Sequence, residues 1–527
     1  MSPMARAVRR ERWRGHDVLS YPDRPATIVH ILDRAVRHHG GREGVVDGHQ
    51  RCTYRQLAER VSGTVDELAD RGLHRGAAVG VVAPNSVDLA VLVFACAVAG
   101  VTLVGLSERD APRRWAALLA TAGATTVLAS TDHAGRAATV ASIADHAGTA
   151  VMDLADVTRA RVAPWAFAPP SEDDTYMVVG TAGTTGTPKA SRVVHRCSVH
   201  AALSYVDLVD LGPSDRTAVL FPLTYISALH AHVLPMMLAG GVSVLATPSS
   251  AHRFCDLLAE ERITWMYTVP SFWLSMLHTA RFTADHLPAL RVAAFGGGPF
   301  PPDMLPEIRQ RLPAVALHNV YGLSETHSPA TILHDHEFAD RPTSVGRPLP
   351  CMEARVVDDG GAALPPGTPG HLQLRGSLVT TGYLGDPDAT GAAFDGAWFA
   401  TGDHGRMDAD GYVWIVARRR DLIVRGGYNI APVEIEQALR RHPGIAEAAV
   451  FGVAGAAADP AVACAIVPER NRACPTARDV RAWVRDHVAD YAVPRYVEVV
   501  DTIPLTPIGK VNRRALTDAA LGRLGAS

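Results

Sequence analysis

From about residue 75 to 325, short β-rich runs alternate with helical patterns, and this alternation constrains the fold more than any other feature of the chain. The strand candidates are 77–83, 125–129, 176–179, 218–221, 242–246, 265–269, 292–295 and 316–320, with helical stretches such as 253–262 and 302–311 between them. Strands met in that order pair in parallel and are covered by helices on both faces. Residues 89–106 form an apolar run of membrane-spanning length, interrupted by Gly100 and Thr102. With a strand pattern just before it, the run reads as a core helix followed by a core strand, not as a membrane span.

After residue 340 the texture changes to short alternating strands at 353–357, 371–375 and 412–416, separated by Gly, Pro and Asp turns, which points to a small antiparallel barrel or sheet. Beyond Arg420 comes a compact α+β pattern: a helix at 433–441, strands near 448–453 and 463–467, a helix at 477–488, and a frayed helix after 515. A chain of 527 residues is too long for one hydrophobic core. The expected domains are 1–419 and 420–527, with a hinge at 418–421, where three consecutive arginines meet the change of texture. A net charge of −3 argues against a dedicated binder of nucleic acid or anionic membrane. The N-terminal arginines precede no apolar stretch, so they do not form a secretory signal. Seven scattered cysteines, none in a CxxC pair, read as reduced thiols of a cytoplasmic protein. Monomer and homodimer remain open.

Of 51 Lys and Arg side chains only two are lysine, Lys189 and Lys510. Lysine ends in a compact point charge, whereas arginine ends in a planar fork, so the two survivors mark places where a guanidinium does not serve. Both close glycine-bearing loops, Gly183-Thr184-Thr185-Gly186-Thr187-Pro188-Lys189 and Thr506-Pro507-Ile508-Gly509-Lys510. The first follows a strand and is expected to lead into a helical segment. Its glycines let backbone N–H groups approach a ligand, its threonines add hydroxyls and its lysine adds charge, a combination that holds phosphates. Pro188 separates the last glycine from the lysine, so this is not a Walker A loop. Taken alone, such a loop is also compatible with a flexible connection. Two other segments add weight. Tyr321-Gly322-Leu323-Ser324-Glu325-Thr326 sets a hydroxyl and a carboxylate just past a strand end, where open α/β sheets bind ligands. Trp398-Phe399-Ala400-Thr401-Gly402-Asp403 offers a carboxylate after a turn.

Together these segments resemble the motifs of the adenylate-forming superfamily: acyl-CoA synthetases, peptide-synthetase adenylation domains and beetle luciferases. The family's T-S-G-T-T-G-x-P-K-G loop is similar to 181–190, its Y-G-x-T-E to 321–325 and its T-G-D to 401–403. The hinge pattern resembles 417–421, the G-G-x-N-I-x-P-x-E-I-E stretch 426–436, and the terminal P-x-T-x-x-G-K-x-x-R 504–513. The resemblance implies an α/β fold: a large N-terminal domain of two parallel α/β subdomains plus a small antiparallel β-barrel, then a mobile α+β C-terminal lid domain. It implies an acid–thiol ligase of the AMP-forming acyl-CoA synthetase type. ATP and a carboxylic acid give an acyl-adenylate and pyrophosphate, and the acyl group then passes to the thiol of coenzyme A or, alternatively, of a phosphopantetheinyl carrier protein.

The same resemblance implies the residue roles. Lys510, Ser324 and Glu325 form the catalytic set, with Lys510 bridging the substrate carboxylate and the α-phosphate and Glu325 holding Mg²⁺. Thr181, Gly183, Thr184, Thr185, Gly186 and Lys189 hold the outer phosphates. Asn319 and the Gly297-Gly298-Pro299 backbone read adenine, with Tyr321 stacked on its face and Gly322 beside it. Asp403, assisted by Arg418, takes the ribose. Arg420 is the hinge, and Gly426 and Gly427 lie on the thiol-donor side. The acyl pocket draws on Tyr225, Ile226, Phe295, Gly296, Val320, Leu323 and His327.

Several positions depart from the family pattern. Ala182, Ala190, Ser324 and Ala417 are small replacements, and His371 stands where a glutamate is common. Gly455 to Pro460 replaces a charged segment on the domain that meets the thiol donor, which leaves coenzyme A and a carrier protein both open. Tyr225 stands where the family often has histidine, and no aspartate occurs between Asp215 and Asp256 to pair with a substrate amine. Burying an unpaired ammonium is costly, so an aromatic or medium aliphatic acid is expected in preference to an α-amino acid. His230, His232 and His327 are candidates to touch a polar substituent, against the plainer reading of structural histidines.

Overall fold

A computed structural model describes residues 6–48, 50–106, 112–130, 149–181, 189–298, 300–418, 423–425, 428–430, 432–453, 461–470, 472–488, 492–506 and 510–524. The chain divides into two compact units, 1–354 with 373–400, and 355–372 with 401–527. A five-stranded sheet of Met352–Val357, Gly370–Gly376, Phe394–Asp395, Trp398–Met407 and Val413–Arg418 contains the points of division.

Two α/β sheets build the first unit. One runs Lys189–Val194, Thr175–Thr181, Thr102–Gly105, Ala78–Val82, Thr126–Ala129, Ala150–Asp153, parallel throughout except for the antiparallel first pair. The other has an inner run of six parallel strands, Ala316–Tyr321, Val292–Gly296, Trp265–Thr268, Arg216–Val219, Val242–Leu245 and Glu43–Val46, with antiparallel strands at both edges. The long apolar run resolves as expected. Ser86 caps the helix Val87–Ala99, Gly100 closes it in the left-handed conformation, and the strand Thr102–Gly105 follows. Residues 87–97 of that helix are all buried, as suits a helix that is apolar all round. Among the described residues no helix is long and apolar enough to cross a membrane. Six of the seven cysteines are buried, Cys474 is exposed, and all are free thiols.

The second unit centres on the sheet Ile445–Val453, Ala461–Pro468, Tyr496–Val499. Strand periodicity sends Ala448 and Val450 to one face, against Ile435, Leu439, Val480 and Val484 of the helices Pro432–Arg440 and Ala477–His487. It sends Ala449, Phe451 and Val453 to the other face, against Leu516 and Ala520. This corrects the expectation of a frayed C-terminus: Arg513–Leu524 is a packed helix that covers the second face of the sheet. Arg513 anchors its start, donating to the Val450 carbonyl at 2.9 Å and to Glu436 at 2.5 Å.

Leu516 is 3% exposed. Replacing it with alanine should destabilise this unit by about 2–4 kcal/mol. Hydrogen exchange should then lose protection in strand 445–453 while strand 292–296 of the first unit is unaffected; unchanged protection in 445–453 would rule out this packing role.

Candidate functional site

The glycine-threonine loop, including Gly183, Thr184, Thr185 and Gly186, lies outside the described residues, but its flanks are defined. Thr175–Thr181 and Lys189–Val194 are antiparallel, with Thr181 opposite Lys189. The loop therefore connects two strands of one hairpin, not a strand and a helix as the sequence reading had it. Lys189 opens a strand, and the helix His195–Val209 begins only after that strand ends. Lys189 therefore does not stand at the start of that helix.

Beside this strand runs the segment 378–384, stitched to it residue by residue. Thr380 donates through Oγ1 to the Arg192 carbonyl at 2.8 Å, Arg192 N–H donates to Gly382 at 3.1 Å and Leu384 N–H donates to Ala190 at 2.8 Å. On its other side the segment meets the turn that follows strand Ala316–Tyr321. Thr380 N–H donates to the Glu325 carbonyl at 2.6 Å, and His327 Nδ1 donates to the Leu378 carbonyl at 2.9 Å. One side chain of the segment touches both candidate charges. Tyr383 lies with its ring 4.8 Å from Lys189 Nζ, and its hydroxyl donates to Glu325 Oε1 at 3.1 Å. Burial, and then the Glu325 carboxylate, push the phenol well above its ordinary value, so it remains a donor. Sequence reasoning missed Tyr383; the local sequence, a Gly-Tyr pair after Thr380 and Thr381, carries no clear signal of its role.

The turn that carries Ser324 and Glu325 is tightly determined. A Cβ on Gly322 would overlap the Ser328 carbonyl oxygen, so only glycine fits there. Thr326 Oγ1 accepts from Leu323 N–H at 2.9 Å, and His327 and Ser328 take positive φ angles of 54° and 88°. Such backbone persists only where its surroundings enforce it. Asn319, on the strand leading in, donates its side-chain amide to the Ser344 carbonyl at 3.0 Å. Gly297 and Gly298 follow strand Val292–Gly296, and Pro299 lies outside the described residues.

The three candidate histidines are fully buried. His327 accepts at Nε2 from Val194 N–H at 3.4 Å while Nδ1 donates, so both ring nitrogens are satisfied, and burial lowers its pKa to about 3. His230 donates through Nδ1 to the Ile226 carbonyl at 2.8 Å and lies 2.8 Å from Ser198 Oγ through Nε2. His232 pairs through Nδ1 with Thr217 Oγ1 at 2.7 Å. All three are core histidines: His230 braces the helix 195–209, His232 bonds a strand residue, and His327 ties the strand 189–194 to the segment at Leu378.

Around the expected acyl pocket, Phe221, Tyr225 and Leu323 are partly exposed, while Ile226 and Val320 are buried. Gly296 is required by close approach, because a Cβ there would lie 2.8 Å from the Tyr267 hydroxyl. Tyr267, which sequence reasoning passed over, is hydrogen-bonded to Ser227. Phe295 points elsewhere: its ring packs against Trp273, Phe300 and Phe338, as alternation along the strand dictates once Gly296 faces Tyr267. Asn85 was also missed. It donates to the Val219 and Phe221 carbonyls at 3.1 and 2.8 Å and accepts from Leu223 N–H at 2.8 Å, clamping the segment that carries Phe221.

In the second unit, Asp403 is 2% exposed and sits within the strand Trp398–Met407, not after a turn as expected. Its register partner is Arg418. Lys510 is fixed through its main chain: its N–H donates to Thr506 Oγ1 at 3.1 Å and its carbonyl accepts from Thr506 N–H at 2.6 Å. His371 pairs with Asp359 at 2.8 Å. Arg420, Gly426 and Gly427 lie outside the described residues.

Comparison with known proteins bears on these motifs as a set. Residues 32–384 match the AMP-binding enzyme family and residues 434–510 match the AMP-binding enzyme C-terminal domain. The chain belongs to the AMP-binding enzyme family. A feruloyl-CoA synthase from Amycolatopsis is 30% identical over 481 residues, 90% of this chain and 94% of that protein. An indoleacetate–CoA ligase from Aromatoleum aromaticum is 28% identical over 507 residues, covering 92% and 96%. Among solved structures, ATP-bound MatB from Rhodopseudomonas palustris superposes with a TM-score of 0.84 at 26% identity, covering 93% of this chain and 98% of that one. The amide bond synthetase McbA from Marinactinospora thermotolerans gives 0.84 at 27%, covering 94% and 99%. This AMP-binding enzyme is an acid–thiol ligase: it activates a carboxylic acid with ATP and forms the coenzyme A thioester.

Burial holds His195, His200, His232 and His318 of this AMP-binding enzyme at pKa values of about 3. In the unfolded chain they titrate near the ordinary value of about 6.5. Between those values the unfolded state binds more protons, so stability rises with pH across the window and is progressively lost as pH falls below about 6.5. Thermal midpoints measured from about pH 8 down to pH 5 should be level at first and then decline, well before carboxylates titrate; a level profile down to pH 5 would contradict this.

Proposed function

We propose that the enzyme activates an aromatic or medium aliphatic carboxylic acid, with its charges divided among five side chains, Lys189, Lys510, Asp403, Arg418 and Glu325. The observation that carries this reading is the contact of Lys189 and Glu325 with one tyrosine beside the glycine-threonine hairpin. A carboxylate is a poor nucleophile toward a polyanion, so cations must offset the charge of both reactants and of the transition state. Lys189 and the 181–187 loop would hold the outer phosphates. Lys510 would bridge the carboxylate and the α-phosphate, Asp403 with Arg418 would hold the ribose, and Ser324 would sit by the phosphates next to Glu325. Asn319, the backbone of Gly297 and Gly298, and Tyr321 would take adenine. Glu325 suits Mg²⁺, a hard ion that usually binds through one or two carboxylates plus substrate phosphates, and the ion would supply further charge neutralisation there.

The substrate class is supported by the aromatic character of Phe221, Tyr225 and Tyr267, and by two relatives named for aromatic acids, feruloyl-CoA synthase and indoleacetate–CoA ligase. It is also supported by the two aspartates that flank the acyl segment, both held in arginine pairs: Asp215 with Arg291 at 2.8 Å, and Asp256 with Arg253 at 2.9 Å. Neither is placed to receive a substrate ammonium. A screen of carboxylic acids for acid-dependent pyrophosphate release should give its strongest responses with aryl and arylalkanoic acids; a preference for α-amino acids would overturn the assignment.

Lys510 and Arg420 separate the two half-reactions in this reading, with the C-terminal domain rotating about Arg420 between them. Lys510→Ala should slow adenylation by about 10²–10⁴, the usual loss for one transition-state charge contact. Thioester formation from supplied acyl-adenylate should be largely retained, and equal damage to both steps would contradict the division. Arg420→Pro should spare adenylation and depress thioester formation in the same two assays.

A further inference from the structure

We infer that Tyr383 is the positioning residue of the nucleotide site, aiming Glu325 with its hydroxyl and seating Lys189 on its ring face. The inference rests on the reading in which Glu325 holds Mg²⁺ and Lys189 the outer phosphates. The two groups carry opposite charges on neighbouring elements, and a direct ion pair between them would neutralise both before substrate arrived. Tyr383 holds each without neutralising either. A ring face attracts an ammonium through its quadrupole and leaves the full positive charge in place. A neutral phenol on Glu325 Oε1 fixes the carboxylate plane and leaves the negative charge for a cation.

The residue is well placed to do this because its backbone is fixed from several directions. Tyr383 bridges to Ser191 in the hairpin strand, its N–H donates to Thr390 Oγ1 at 2.9 Å, and its neighbour Leu384 donates to Ala190. The Glu325 carbonyl is held by Thr380 N–H from the same segment. The ring therefore moves with the strand that begins at Lys189 and with the turn that bears Glu325, and the lysine–carboxylate spacing is set by one side chain.

The test uses equilibrium ATP binding by calorimetry in the absence of any acid, with and without Mg²⁺, on the full chain. Tyr383→Phe keeps the ring and removes the hydroxyl. It should leave Mg²⁺-free ATP affinity unchanged and raise the Mg²⁺ concentration that gives half-maximal enhancement about tenfold, the order expected for one hydrogen bond to a charged group. Tyr383→Leu should do the same and also weaken Mg²⁺-free ATP binding about threefold through loss of the ring. Far-ultraviolet circular dichroism of both variants should match that of the unsubstituted protein. If Tyr383→Phe keeps the normal Mg²⁺ response while Glu325→Gln loses it, the positioning role is wrong and the Glu325 assignment stands. If Glu325→Gln also keeps the normal response, the Glu325 assignment fails, and the Tyr383 inference fails with it.

Discussion

The hydrogen-bonded seam along residues 378–384 is the constraint on which the proposed nucleotide site of this enzyme depends. It is pinned on one side to the strand Lys189–Val194 and on the other to the turn at 324–327, so a cation and a carboxylate from different sheets share one frame. Each contact in the seam is a modest main-chain or hydroxyl bond, worth about 1 kcal/mol net. Their effect is geometric: they convert two loop ends into a fixed arrangement, and preorganised charge is what phosphoryl chemistry needs from a protein. The positive φ angles at His327 and Ser328, and the contact that excludes any side chain at Gly322, are the local strain this arrangement holds in place.

Much of the architecture was legible because it follows from periodicity. Each strand inferred between residues 77 and 320 lies on a strand of the structure, and the apolar run at 89–106 split into helix and strand where Gly100 interrupts it. The family was legible for a different reason. The order of the glycine, threonine, lysine and carboxylate motifs resembles that of the adenylate-forming enzymes, and residues 32–384 and 434–510 match the AMP-binding enzyme family and its C-terminal domain.

What the sequence concealed depends on contacts between distant segments. Nothing local distinguishes a loop leading to a helix from a hairpin, so Lys189 was expected before a helix and instead opens a strand. Tyr383 lies 58 residues from Glu325 and acquires its meaning only when the seam brings them together. Asn85 carries no local sign of its role, which is to clamp the segment 219–223 of another sheet. Phe295 was placed by its neighbours in sequence, but strand alternation turns its ring into an aromatic cluster and sets Gly296 against Tyr267. The C-terminal helix lacked a strong apolar stripe, and its packing became visible only against the small-residue face of its sheet.

The central claim is that the substrate carboxylate attacks the α-phosphate of ATP directly. The most direct measurement follows the oxygen. With a carboxylic acid labelled by heavy oxygen in its carboxyl group, the account predicts that one label appears in the phosphate of AMP after turnover, followed by phosphorus NMR or mass spectrometry. Label recovered in inorganic phosphate, or AMP that carries none, would contradict it.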